Sequence, residues 1–212
     1  MKLLAKVLLT TALAAGTVTG VQAAGDAEAG KNKSTTCVAC HGADGNSSVP
    51  NFPKLAGQSA NYIVKQLTDM KSGARTVPEM AAFLPGLSDQ DIQDLAAYYS
   101  EQSVQPGAAD PKLVELGQKV YRAGNPENGV TACAACHGAT GKGVPAAGFP
   151  ALAGQHAAYI EKQLKAFRAA GREDHEGARR ENDGETKMMR STAARLTDDE
   201  ISALASYING LY

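Results

Sequence analysis

The sequence has no tryptophan and, in 212 residues, only 4 phenylalanines and 7 tyrosines. That is little aromatic surface for a chain with one or two cores to fill, and a bound apolar group would make up the shortfall. No basic run is dense enough to track phosphates, which excludes nucleic acid as a partner. The acidic surplus is confined to 24–105, with 6 basic and 9 acidic residues, whereas 106–212 carries 13 of each. Beyond the N-terminal segment no apolar stretch approaches the ~20 residues of a membrane span. Strand-type alternation is missing as well, so the expectation is an all-α protein.

The N terminus has the pattern of an export signal. Lys2 and Lys6 precede an apolar stretch from Val7 to Ala15, and Val21-Gln22-Ala23 offers small residues for a signal peptidase. Cleavage is expected after Ala23, placing the mature chain in the periplasm. Gly16, Thr17, Thr19 and Gly20 break the apolar run and disfavour an uncleaved anchor.

The rest of the chain is a duplication. Cys37-Val-Ala-Cys-His-Gly-Ala-Asp-Gly matches Cys133-Ala-Ala-Cys-His-Gly-Ala-Thr-Gly, and Phe52-Pro-Lys-Leu-Ala-Gly-Gln58 matches Phe149-Pro-Ala-Leu-Ala-Gly-Gln155. Tyr62-Ile-Val-Lys-Gln-Leu67 then answers Tyr159-Ile-Glu-Lys-Gln-Leu164, and Leu87-Ser-Asp89 answers Leu196-Thr-Asp198. The matches predict two domains, 24–105 and 106–212, joined at the small and polar segment 103–110. Each half reads as three helices with long loops between them. The first covers roughly Ala27 to Cys40 and Pro111 to Ala123, the latter with Asp110 as N-cap. The second places Ile63, Leu67 and Met70, or Ile160, Leu164 and Phe167, at helical spacing. The third opens on a capping box, Ser88 to Asp91 and Thr197 to Glu200.

All four cysteines fall in two CxxCH motifs. In an exported chain four cysteines suggest two disulfides, but the histidine after each pair points to covalently attached haem c. Two intervening residues let Cys37 and Cys40, or Cys133 and Cys136, form thioethers along one porphyrin edge. His41 and His137 then supply the proximal iron ligands. Structural zinc needs more Cys or His nearby, and a thioredoxin-like pair goes with a βαβ pattern that is missing here. Two haems are expected, and they also explain how loops as long as 42–56 become ordered.

A methionine sulfur as the sixth ligand keeps such an iron six-coordinate and raises its potential. The mature chain offers Met70, Met80, Met188 and Met189. Counting back seven residues from the equivalent Leu87 and Leu196 selects Met80, in the loop Val77-Pro-Glu-Met80, and Met189, in the loop Lys187-Met-Met-Arg190. Met70 reads as core filler on a helix stripe, and Met188 is the rival of Met189. A backbone carbonyl of the Phe-Pro loops at Pro53 and Pro150 is the expected acceptor for the second nitrogen of each histidine. His156 and His175 have no counterparts in the first half and read as surface residues. The charged segment 171–186 reads as a solvated loop.

These motifs, with Pro-Glu-Met80, Asn-Asp-Gly-Glu-Thr before Met-Met-Arg190, and the closing Ser-Tyr-Ile-Asn-Gly-Leu-Tyr, resemble the dihaem cytochromes c4 over essentially the whole mature chain. The resemblance implies two class I cytochrome c domains related by a pseudo-twofold axis, with haem propionate edges meeting between them. It also implies electron delivery towards a terminal oxidase, in the periplasm or loosely on the inner membrane. The redox partners so implied are a quinol–cytochrome c reductase as donor and a haem-copper oxidase as acceptor, with the carrier itself a monomer and not an enzyme. Two other readings stand beside it. A dihaem peroxidase needs one iron with an open position, against which a methionine in each half argues. The haem subunit of a flavoprotein dehydrogenase for sulfur compounds fits the same motifs.

Overall fold

The computed structural model describes residues 25–174 and 177–212; the expected signal segment and His175 lie outside them. Nine α-helices occur among the described residues, and the only β-pairing there is two isolated bridges, Asn125 with Val130 and Val144 with Phe149. The first half contains α1 (Ala27–Lys33), α2 (Val38–His41), α3 (Ala60–Ser72) and α4 (Asp89–Ser100). The second contains α5 (Val114–Ala123), α6 (Ala134–His137), α7 (Ala157–Gly171), α8 (Met188–Ala193) and α9 (Asp198–Asn209). No described helix is long and apolar enough to cross a membrane.

The two halves are built alike, as the repeat demands. In the first, α1 packs on α4 and α3 on α4; in the second, α5 packs on α9 and α7 on α9. Each crossing of the first and last helices is made at a glycine. A Cβ on Gly30 would lie 2.0 Å from the Asp94 carbonyl oxygen, and one on Gly117 would lie 2.3 Å from that of Ala203. Both capping boxes form: Ser88 accepts from Asp91 N–H and Thr197 from Glu200 N–H, with the acidic side chain reaching back in each case. The first core holds Ile63, Leu95, Ala96, Tyr98 and Tyr99. The second is larger, with Val120, Tyr121, Ile160, Phe167, Leu196, Ile201, Leu204 and Ile208.

Three local expectations need correction. The first helix does not run unbroken to Cys40, because α1 ends at Lys33 and a 3-10 turn, Ser34–Thr36, leads into α2. Asp110 does not cap α5. Its carbonyl accepts the Leu113 and Val114 N–H groups in a separate turn ahead of that helix, and its carboxylate accepts from Lys112 N–H. The Met189 segment is a short helix rather than a loop. Asp183 accepts the Arg190 backbone N–H at 2.9 Å and its Nε–H at 2.6 Å, tying down the first turn of α8.

Candidate functional site: two Cys-Cys-His motifs around one cavity

Each CxxCH motif sits on one turn of helix, α2 or α6, reached through a 3-10 turn in the first half and through a loop closed by the Asn125–Val130 bridge in the second. The helical turn places both cysteines and the histidine on the same wall, and Gly42 or Gly138 stops it with φ near +80°, which a side chain would resist. All four cysteines are free, half-buried thiols. Burial pushes the Cys133 thiol up to about 11, the reverse of the lowered value a nucleophilic redox cysteine needs.

The histidines are 6% exposed in both halves. His41 Nδ1 lies 2.9 Å from the Pro53 carbonyl oxygen, and His137 Nδ1 lies 2.9 Å from that of Pro150. A carbonyl only accepts, so each Nδ1 carries the hydrogen and each Nε2 is left with a free lone pair. Burial lowers both imidazole pKa values, although the prolyl carbonyls work against it, so the rings are neutral at pH 7. Phe52 and Phe149 stand at a tilt to these rings, with centroids 6.4 and 6.3 Å away. The Phe-Pro loops thus hold the histidines, as their position after the motifs suggested.

A cavity of about 1030 Å³ runs between the two motifs. Its walls include Cys37, Cys40, His41 and Met80 from the first half, and Cys133, Cys136, His137 and Met189 from the second. Met80 ends a 3-10 turn, Pro78–Met80, and is half-buried. Met189 packs against the second core, whereas its neighbour Met188 is 48% exposed. Met70 lines the same cavity from α3.

Two cations in this cavity wall escaped sequence reasoning. Arg75 and Arg180 are 9% and 8% exposed, yet among the described residues their side chains donate to neutral oxygens, with the charge of Asp183 also acting on Arg180. Their bonds are arranged about a twofold axis. Arg75 donates to Gln66 Oε1 of its own half at 2.7 Å and crosses to Tyr159 at 3.0 Å and Gln163 at 3.1 Å. Arg180 donates to Gln163 of its own half at 2.8 Å and crosses to Tyr62 at 2.8 Å and Gln66 at 3.0 Å. Both backbones are anchored at equivalent points, Arg75 N–H on Asp69 O and Arg180 N–H on Ala166 O. Burial acts to raise the Tyr62 phenol, but the charges of Arg180 and Arg75 outweigh it and hold its pKa below the ordinary value.

Buried cations hydrogen-bonded to neutral acceptors are costly, and an anion in the cavity offsets that cost. Haem carries such anions in its two carboxylates. Four thiols, two Nε2 lone pairs, a thioether sulfur in each half and two buried guanidinium groups therefore fit two haems, whose acid groups Arg75 and Arg180 would balance.

Two expectations fail in this region. His156 is not a surface residue: it is half-buried, and its Nε2–H donates to Ser47 O of the other half at 2.8 Å. The charged segment is not wholly solvated either. Arg180 is buried, and Asn182 donates to Gln66 Oε1 at 2.9 Å and Asp69 Oδ2 at 2.6 Å. The register of the repeat breaks in this segment, so its inward-facing residues had no partner to be matched with.

Residues 27–102 and 114–211 match the Cytochrome c family, one copy in each half. The chain is 51% identical to cytochrome c4 of Pseudomonas aeruginosa, over 100% of this chain and 99% of that protein. The crystal structure of reduced recombinant cytochrome c4 from Pseudomonas stutzeri superposes with a TM-score of 0.83 at 50% identity, covering 89% of this chain and 100% of that one. A thiosulfate dehydrogenase electron acceptor of Stutzerimonas stutzeri is 37% identical over 81% of this chain and 76% of that protein.

Proposed function

From the premise that the chain belongs to the cytochrome c4 family, dihaem electron-transfer proteins rather than enzymes, we propose that it is a periplasmic carrier with a His/Met-ligated haem in each half. Cys37 and Cys40 hold the first haem through thioethers, and Cys133 and Cys136 the second. His41 with Met80, and His137 with Met189, are the axial pairs. The group so held supplies a one-electron iron couple. The protein's part is to present a neutral Nε2 and a thioether sulfur, exclude water with the two apolar cores, and balance acid groups with Arg75 and Arg180. The observation that carries this reading is the pair of buried histidines whose Nδ1–H groups are held by Pro53 and Pro150, each beside its cysteines on one cavity.

The domains divide at 105/106, and residues 1–23 form the cleaved export signal. The carrier works as a monomer, with loose inner-membrane contact, between a quinol–cytochrome c reductase and a haem-copper oxidase. Haem counting and optical spectra test the ligand set. Two haems per chain are expected, with a methionine–iron charge-transfer band that halves in Met80→Ala, halves in Met189→Ala, and is unchanged in Met188→Ala. One haem per chain, or a band insensitive to both substitutions, would overturn the ligand set.

A second reading is favoured by the 37% identical thiosulfate dehydrogenase electron acceptor: electrons enter from a dehydrogenase acting on sulfur compounds. Stopped-flow reduction by such a dehydrogenase, compared with reduction by a quinol–cytochrome c reductase, separates the two donors.

A further inference from the structure

The peptide group between Pro53 and Lys54 is used at both ends. Its carbonyl oxygen accepts the His41 Nδ1–H, and its N–H, which belongs to Lys54, donates to Gln155 Oε1 at 2.9 Å. Gln155 belongs to the other half of the protein. The mirror arrangement is complete: the Pro150 carbonyl accepts from His137, and the N–H of Ala151 in the same peptide donates to Gln58 Oε1 at 2.9 Å. Each glutamine also returns a bond, Gln155 Nε2–H to Lys54 O at 2.8 Å and Gln58 Nε2–H to Ala151 O at 2.9 Å. Backbone N–H groups only donate, so these contacts fix which end of each amide is oxygen. Gln155 and Lys54 are both 9% exposed, so the first relay is shielded from water.

Hydrogen bonds in series polarise one another, more so where the local dielectric is low. When an amide N–H donates, its own carbonyl becomes more negative and accepts more strongly. The acceptor behind a metal-binding histidine in turn sets how much charge the imidazole gives to the metal. We propose that Gln155 and Gln58 are positioning residues that tune the haem of the opposite half, Gln155 acting through His41 and Gln58 through His137. By making its imidazole more electron-rich, each glutamine favours oxidised iron and lowers the potential of the haem across the interface. No bond forms or breaks and no proton changes owner; only the polarisation of the relay differs. The inference rests on His41 and His137 being the axial ligands.

The test uses the haem-loaded full chain, with both potentials measured by spectroelectrochemistry and the two Nδ1–H protons followed by NMR in the reduced state. Gln155→Leu removes the acceptor. It is expected to raise the potential of the first-half haem relative to the second, shifting the electron-exchange equilibrium between them about threefold, or about 28 mV at about 59 mV per tenfold. The His41 Nδ1–H resonance should move while that of His137 stays. Gln58→Leu should produce the opposite shift, and the double variant should return the ratio close to wild type with both potentials raised. Gln155→Glu keeps an oxygen acceptor and should not raise the first-half potential, which provides a readout should the leucine variant fail to fold. The proposal is overturned if a single substitution shifts its own half's haem, shifts both equally, or shifts neither, or if Gln155→Glu behaves as the leucine variant does. Loss of two His/Met-ligated haems from the wild-type protein would instead strike at the ligand assignment itself.

Discussion

Gly117 carries a prediction whose size follows from the helix crossing. A Cβ there would lie 2.3 Å from the Ala203 carbonyl oxygen and 2.6 Å from Tyr207 Cβ. Carbon–oxygen contacts settle near about 3.3 Å, so Gly117→Ala forces α5 away from α9 by about 1 Å. The obstructing oxygen is backbone and has no rotamer to escape into. Val120 and Tyr121, 1% and 0% exposed, are carried out of the second core as α5 moves. Overpacking of this kind costs about 3 kcal/mol, and alanine's better helix propensity offsets roughly 1, leaving about 2 kcal/mol. At about 2–4 °C per kcal/mol for a protein of this size, the melting temperature of the haem-loaded protein should fall by about 4–8 °C. Far-UV circular dichroism measures this, and Gly86→Ala is the control, since a Cβ there meets nothing within 4 Å. Gly30→Ala, with its Cβ 2.0 Å from Asp94 O, should cost at least as much in the first half. If Gly117→Ala melted at or above wild type, only helix propensity would have been felt and the close crossing would be refuted.

Arg180→Leu removes a cation that faces both halves, so both haem potentials should fall together, by about 43 mV for each 1 kcal/mol of lost charge stabilisation; unchanged potentials would show that Arg180 balances no acid group. Asp91 gives a pH signature. The hydrogen bond from Lys33, with those from Ser88, holds its carboxyl down to about 2 against an ordinary 3.8. Its folded value lies below its unfolded one, so the contribution is complete above about pH 4 and is lost as pH falls towards 2. Lys33 is 45% exposed, which keeps this contribution under about 1 kcal/mol. Urea midpoints of Asp91→Asn should therefore vary less than wild type between pH 4 and 2, and an identical slope would count against the pairing.

Features that depend on short stretches of chain were legible in the sequence. The CxxCH turns, both capping boxes and the prolyl carbonyls behind the histidines all lie where local spacing put them. Features made between the halves were not legible, because nothing in a linear repeat says how two copies face each other. Gln58 and Gln155 stand in the most evident repeat motif, Phe-Pro-x-Leu-Ala-Gly-Gln, yet their cross-bonds appear only once the halves are docked. His156 was misplaced for the same reason: its acceptor, Ser47 O, belongs to the other copy. Arg75 and Arg180 were hidden by a broken register. The numbering offset between equivalents is 97 at Asp69 and Ala166, 105 at Arg75 and Arg180, and 109 at Met80 and Met189. The inserted residues are thus split on either side of Arg180, and no fixed offset aligns it with Arg75.

That split shows what the duplication has preserved. Lengthening a surface loop costs little, about 0.6 kcal/mol for each doubling, so insertion ahead of Met189 is tolerated wherever the anchors on either side hold. The anchors that hold are the bond from Arg180 N–H to Ala166 O and its side-chain crossing to Tyr62 and Gln66, the counterparts of those made by Arg75. A loop kept only to reach the methionine would not need a buried guanidinium at the same place in both copies. The crossed arginines and the crossed glutamines each join one half's cofactor wall to side chains of the other. Two independent domains on a tether would have no use for either set. The physical unit for electron transfer is therefore the docked pair, and a substitution at the interface is expected to register in the potential of the opposite half's haem, or of both for the crossed arginines, before it registers in the integrity of either haem site.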